Sequence, residues 1–251
     1  MIFPQKIMCS TGKTSIFFLG QAGFIIKSRK GTLIGIDMYL SDCVERMDGF
    51  KRLMPKILEP DDIIFDAVVT THFHFDHYDI DSIPVLMSNG KTTLISAYDC
   101  RHYIETAKIP NERVKYMKQG DGIDVEDISI KGMPCDHGES APEAIGLMIS
   151  VDGKKIYITG DTCLHKEEIE RVADYEKIDV AISPINGAFG NMNEHDAVEM
   201  CKILKPQLYI PCHYWNFAEH GGSPGLMKTY FEREFPEQKF DIMCMGEQVN
   251  I

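Results

Sequence analysis

Near the start of the chain, apolar residues come in short runs separated by glycines and polar pairs. Ser15–Leu19, Gly23–Ser28 and Thr32–Asp37 read as strands of a meander. A helical segment is expected over Asp42–Leu53. Asp66–Thr71 follows, and its Ala-Val-Val centre is continuously apolar, as in a buried strand. Further strands are expected at Thr92–Ala97, Val114–Met117, Ile128–Met133, Gly146–Val151, Lys155–Thr159, Val180–Ile185 and Gln207–Pro211. Helices are expected at Tyr98–Ala107, His165–Tyr175, Glu194–Leu204 and Ser223–Phe235. Asn193 and Asp196 make a capping-box-like pair at the third, and Pro224 suits the first position of the fourth. Strands, then strands mixed with helices, repeated twice, predict a layered α/β architecture with two packed sheets.

Composition narrows the function classes. The chain has 251 residues, 44% of them hydrophobic, with no low-complexity or Pro-rich linker, so residues 1–251 read as one domain. Lys and Arg number 26 against 38 Asp and Glu, a net charge of −12, so a long nucleic acid is not the expected partner. No apolar run approaches the ~18 residues of a membrane span. The apolar stretch Ile16–Ile26 is broken by Gly20, Gln21 and Gly23 and starts late for a signal peptide. The eight cysteines include no C-x-x-C pair, and scattered thiols suit a reducing cytoplasm.

The strongest chemical signal is Asp66–Tyr78, where the apolar strand runs straight into His72, His74, Asp76 and His77. His72 and His74 are two apart, so an extended chain presents both imidazoles on one side. Imidazole and carboxylate together are ligands for zinc, manganese or iron. A metal-free polar loop is the alternative, but imidazoles beside an apolar strand need partners for their polar edges. Three further donors follow expected strands: His137 in Pro-Cys-Asp-His-Gly, Asp161 in Thr-Gly-Asp-Thr and His213 in Pro-Cys-His-Tyr. Strand ends are where sheets place functional groups.

At this point the sequence resembles the metallo-β-lactamase superfamily. The signature is Thr71-His72-Phe73-His74-Phe75-Asp76-His77, an HxHxDH pattern, followed in order by His137, Asp161 and His213. The resemblance implies a four-layered αββα sandwich with the site in a cleft at the sheet edges. It also implies that one ion takes His72, His74 and His137, a second takes Asp76, His77 and His213, and Asp161 bridges them. A narrower resemblance, to the L-ascorbate-6-phosphate lactonase branch, rests on other stretches. They are Leu19–Phe24, Ile36-Asp37 with Tyr39–Asp42, Pro184–Gly187, Gly190–Met192, and Cys100-Arg101 through Ile109-Pro110 to Gly120-Asp121. That branch carries a longer segment with Arg and Tyr where this chain has only Ala188 and Phe189. A phosphate-gripping element is missing there.

The ligand set suggests hydrolysis. One or two divalent ions, zinc or manganese before iron, make hydroxide available near neutral pH. Asp76 is a ligand and a candidate for orienting the nucleophile or taking its proton. Asn186 is a candidate donor to a substrate oxygen, although an Asn-Gly pair also suits a tight turn. The N–H groups of the helix starting near Glu194 are a candidate anion cradle. Asp37 is expected to buttress the site, Arg101 to sit on a solvated helix face, and His102, His165, His195 and His220 to be surface or structural. Gly221–Gly225 fits G-x-S-x-G, but Pro224 has no N–H for an oxyanion hole, so Ser223 reads as a helix cap. Gly12-Lys13-Thr14 lacks the upstream glycine of a P-loop.

The expected activity is a metal-dependent hydrolase opening a lactone or ester of a small anionic substrate, with a homo-oligomer open. One alternative is a metal-dependent phosphodiesterase acting on cyclic nucleotide or RNA. The alternative of another class is a non-hydrolytic metal-binding or sensing module.

Overall fold

The computed structural model describes residues 3–10 and 12–251. It opens with helix α1 (Phe3–Cys9), then strands β1 (Ser15–Gly20), β2 (Gly23–Lys27) and β3 (Leu33–Ile36). Helix α2 (Cys43–Asp48), β4 (Ala67–Thr70), α3 (Ser82–Met87), β5 (Thr93–Ala97), α4 (Arg101–Thr106) and β6 (Val114–Met117) complete the first half. The second half runs β7 (Gly122–Val125), β8 (Ile128–Met133), β9 (Gly146–Val151), β10 (Lys154–Ile158), α5 (Lys166–Tyr175) and β11 (Val180–Pro184). It ends with α6 (Glu194–Leu204), β12 (Leu208–Cys212), α7 (Pro224–Glu234) and β13 (Gln248–Asn250).

The strands form two sheets. One has seven strands in the order β13-β1-β2-β3-β4-β5-β6, and the other six in the order β12-β11-β10-β9-β8-β7. Each is part meander and part parallel. Pairing is antiparallel from β13 to β3 and parallel from β3 to β6. In the second sheet β10, β11 and β12 are parallel and the rest antiparallel.

The apolar runs alternate between two cores, because successive side chains of a strand point to opposite faces. Phe18, Ile26, Ile34, Val69 and Ile95 face the second sheet and pack with Leu147, Ile149 and Ile156. Phe17, Ile25, Leu33, Val68 and Leu94 face outward and pack with Ile83 and Leu86 of α3 and Ile104 of α4. Helices α5, α6 and α7 bury Ile169, Val172, Val198, Cys201, Met227 and Phe231 on the far side of the second sheet. The result is the four-layered αββα sandwich that the resemblance implied.

Several boundaries differ from expectation. The helix over Asp42–Leu53 stops at Asp48, because Gly49 takes a left-handed φ of 79° that ends it. Tyr98–Cys100 is a 3-10 turn and the α-helix begins only at Arg101. α1, α3, β7 and β13 are not among the expected elements; β7 and β13 are short edge strands, which carry too few apolar residues to announce themselves. The caps are as expected: Asn193 and Asp196 make a capping box, and the Ser223 hydroxyl accepts from the Leu226 amide at 3.2 Å. None of the described helices is long and apolar enough to cross a membrane.

Candidate metal centre

The parallel strands set the site. Asp37 follows the end of β3, His72–His77 follow β4, Asp161 follows β10 and His213 follows β12. His137 arrives from the loop after β8 at the same edge. All seven expected donors come together there. His72, His74 and His137 place one donor atom each within 4.8 Å of the others, and so do Asp76, His77 and His213. Asp161 lies between the groups: its Oδ2 is 3.4 Å from His77 Nε2, 3.1 Å from His213 Nε2 and 4.0 Å from His137 Nε2.

Local backbone geometry explains the convergence. Gly160 turns the chain into Asp161 with φ +67°, and a Cβ there would lie 2.8 Å from the Ile145 carbonyl oxygen. Gln21, Asp37 and His213 take φ values of 54°, 44° and 63°, conformations that residues other than glycine rarely adopt. The His213 amide donates to the Gln21 carbonyl at 2.7 Å, tying the β1–β2 hairpin of the first sheet to the end of β12 in the second. Such strain persists only where surrounding contacts over-determine it, and these three positions border the donors.

A second ring of contacts orients the donors. Asp37 accepts from the Thr71 amide at 2.8 Å, from the Thr71 hydroxyl at 2.7 Å and from His77 Nδ1 at 2.9 Å. With Nδ1 donating to Asp37, His77 turns its Nε2 toward Asp76 and Asp161. Asn191 Nδ2 donates to Asp161 Oδ2 at 2.7 Å, and Gln21 Nε2 donates to Asp76 Oδ2 at 2.8 Å.

The donor set fits a divalent ion. His72 Nε2 and His137 Nε2 lie 3.0 and 3.1 Å from the same His74 Nδ1, so three imidazole nitrogens crowd one point. A neutral imidazole nitrogen offers either one N–H or one lone pair, so His74 Nδ1 cannot satisfy both contacts. Buried His77 Nε2 has no hydrogen-bond partner among the described residues. Burial works against charge on His77, but Asp161, Asp76 and Asp37 outweigh it and hold its imidazole well above the ordinary value. The same balance, with Asp161 foremost against burial, raises His213 to about 9. Burial would raise the Asp161 carboxyl, yet His213 and His77 hold it well below the usual range. Burial keeps His72 well below and His137 at about 4. Carboxylates that draw positive charge to one side of a neutral histidine trio suit cations, whose uptake displaces the protons.

A cavity of about 690 Å³ opens over this cluster. His74, Asp76, His137, Asp161 and His213 form its floor, and Phe50, Phe73, Phe75, Tyr103 and Phe189 are among its walls. The described lining residues include no Lys or Arg, and Asp48 supplies a further carboxylate. Other expectations fall outside it. Arg101 is exposed and lies over the Tyr98 ring, as a solvated helix position implies. Asn186 makes a β-bridge with Asn193 and its Nδ2 donates to the Ala188 carbonyl at 3.4 Å, so it serves the turn and does not line the cavity. The α6 N-terminus is no anion cradle, because the Asn193 side chain already takes the amides of His195 and Asp196. His165 pairs with exposed Asp136 at 2.5 Å, and His195 pairs with Glu234 at 3.2 Å.

Three site residues lay outside the expected set: Asn191, from the Gly190–Met192 motif, Gln21 and His220. Gln21 sits inside the Leu19–Phe24 motif, and its amide also meets His220 Nδ1 at 2.9 Å. His220, expected to be surface or structural, is buried and stacks on His213 with ring centroids 4.8 Å apart. Its place seven residues beyond His213 is the sequence signal for it.

Residues 15–213 match the Beta-lactamase superfamily domain. A UPF0173 metal-dependent hydrolase of Pyrococcus furiosus is 30% identical over 94% of this chain and 99% of its own. One of Saccharolobus solfataricus is 31% identical, over 59% of this chain and 65% of its own. The chain belongs to the beta-lactamase superfamily and, within it, to the UPF0173 metal-dependent hydrolases. Among solved structures, a metallo hydrolase of the archaeon Ignicoccus hospitalis shares the fold with a TM-score of 0.75 at 24% identity, covering 95% of this chain and 98% of that one.

Proposed function

We propose that the chain hydrolyses an ester or lactone with one or two divalent ions, zinc or manganese foremost, held by His72, His74 and His137 and by Asp76, His77 and His213, with Asp161 between them. The observation that carries the reading is the convergence of seven donors, from segments spread over the chain, at one sheet edge, five of them on the floor of one cavity. Divalent ions bound there supply acidified water and polarise the oxygen of the scissile group.

The chain's own residues do the rest. Asp37 fixes the His77 tautomer, Asn191 and Gln21 fix the two carboxylates, and His137 and His74 line the approach. Asp76, on the cavity floor, takes the proton that attacking water gives up. Gln21 Nε2, 2.8 Å from Asp76 Oδ2, holds that carboxylate in place. The phosphodiesterase reading finds less support, because the described cavity lining has no Lys or Arg to grip a phosphate. The same lack weighs against the small anionic substrate that the lactonase resemblance implied.

Turnover of a panel of carboxylic esters, γ-lactones and a cyclic nucleotide tests this reading on chelator-stripped and on zinc- or manganese-reloaded protein. Ester or lactone turnover that vanishes on stripping and returns on reloading is expected. Equal turnover in both states, or turnover of the cyclic nucleotide alone, overturns it.

A further inference from the structure

The cavity walls say what kind of molecule the floor would act on. On one side Phe50 and Phe189 lie 6.0 Å apart by ring centroids, and both meet His220, at 5.6 and 5.2 Å. On the other side Tyr103 stacks on Phe73 at 6.3 Å and meets Phe75 edge-on at 5.5 Å. Charged groups along the described lining are confined to the floor carboxylates and histidines and to Asp48.

Phe189 is the unusual residue among these. It is 57% exposed, while aromatic side chains of a folded chain are ordinarily covered. Its φ is +54°, which for a bulky side chain is an outlier. Gly187 and Gly190 on either side also take left-handed φ values, of 60° and 85°. A Cβ at Gly187 would stand 2.9 Å from the Asn193 Cβ, so the turn accepts only glycine there. The chain thus holds a large apolar ring in a strained, solvent-facing position over the cavity. Its contacts with Phe50 and His220 leave more than half of it in water, so packing alone does not account for the position. This is the two-residue stretch, Ala188 and Phe189, that lies between the Asn186-Gly187 and Gly190-Asn191-Met192 motifs.

We infer that the substrate carries an uncharged aryl group beside its scissile ester or lactone bond, and that Phe189 and Phe50 grip this ring. The inference rests on the hydrolase reading for the bond that is cleaved, and on the walls for the group that is bound. An aromatic ring seated against two phenylalanines gains apolar burial and offset or edge-on contacts, which a phosphorylated sugar would forfeit. Phe189 is a specificity-determining residue, not a catalytic one.

The test compares methyl phenylacetate with methyl acetate on metal-reloaded wild type, Phe189→Ala and Phe189→Tyr. Binding of benzyl methyl ketone, which has no leaving group, is measured in parallel by calorimetry. Wild type should favour the aryl ester by at least ~10-fold in kcat/KM, mostly through KM. In Phe189→Ala that ratio should fall ~10-fold and the ketone should bind ~10-fold more weakly, with Phe189→Tyr close to wild type. No aryl preference in wild type, no binding of the ketone to wild type, or a Phe189→Ala ratio equal to wild type overturns the inference. If neither ester is cleaved but the ketone binds and Phe189→Ala weakens it, the hydrolase reading fails and the aryl site stands. If both esters are cleaved equally, the aryl site fails and the hydrolase stands.

Discussion

Between the sheets and at their edge, the same strands meet opposite demands. Ile34, Val69, Ile95 and Ile156 are fully buried in apolar contact, and removing them from water is what holds the layers together. A few residues further along those strands, Asp37, His72, His77 and Asp161 are just as buried but polar. Burying such groups costs free energy unless each is paired, and Asp37 alone pairs with three donors. One region is built for stability and the other holds chemistry at its expense, so substitutions in the two should have separable consequences.

The largest expected effect is at the edge. His74 is partly exposed and shares its Nδ1 with two other imidazoles, so its loss should spare the fold and break the donor trio. His74→Ala should lower kcat/KM at least ~10³-fold, ~4 kcal/mol in the barrier, while the melting temperature of stripped protein moves by only a few degrees. Steady-state kinetics and calorimetry on the same preparation would show it. A loss of activity matched by an equal loss of stability would erase the contrast between the two regions.

Ile95→Ala should behave in the opposite way. Ile95 is fully buried between the sheets, and truncating such a side chain costs about 2–5 kcal/mol. That corresponds to a fall in melting temperature of roughly 5–15 °C, read by thermal denaturation. At 25 °C the folded, metal-loaded fraction should keep turnover within about twofold of wild type.

The smallest effect sharpens the comparison through pH. Burial lifts the Asp99 carboxyl to about 6, and its Oδ2 is buried without a hydrogen-bond partner. A raised carboxyl in the folded state is protonated between pH ~4 and ~6 while the unfolded chain is not. Its stabilisation is therefore full below pH ~4, shrinks as pH rises to ~6, and is lost above that. Asp99→Asn should raise stability at pH 7.5 by about 1 kcal/mol, allowing for partial solvent screening, and change little at pH 4. Urea titrations of both proteins at the two pH values would check it.

How much could be read from the sequence follows the same division. Strand runs such as Asp66–Thr71 were legible because burial on both faces forces continuous apolar residues. His72, His74, Asp76 and His77 were legible because four such donors, crowded beside an apolar strand, are costly to bury unless a cation takes them. Gln21 was not, and His220 only through its closeness to His213, because their roles come from a hairpin of one sheet meeting the end of β12 in the other, and no local pattern encodes that meeting. Phe189 looked like one residue of a short connection; only its position over the cavity and its backbone angle distinguish it. Asn186 stayed ambiguous for a related reason: Asn-Gly suits both a turn and a donor site, and the β-bridge to Asn193 that favours the turn is tertiary information.

Every step of the proposed chemistry depends on cation binding at the sheet edge, and elemental analysis of purified wild type and Asp161→Ala measures it most directly. One to two equivalents of zinc or manganese per wild-type chain, with at least one equivalent lost in Asp161→Ala, is the predicted result. A wild type that binds no divalent ion when reloaded, or an Asp161→Ala variant with undiminished content, would contradict it.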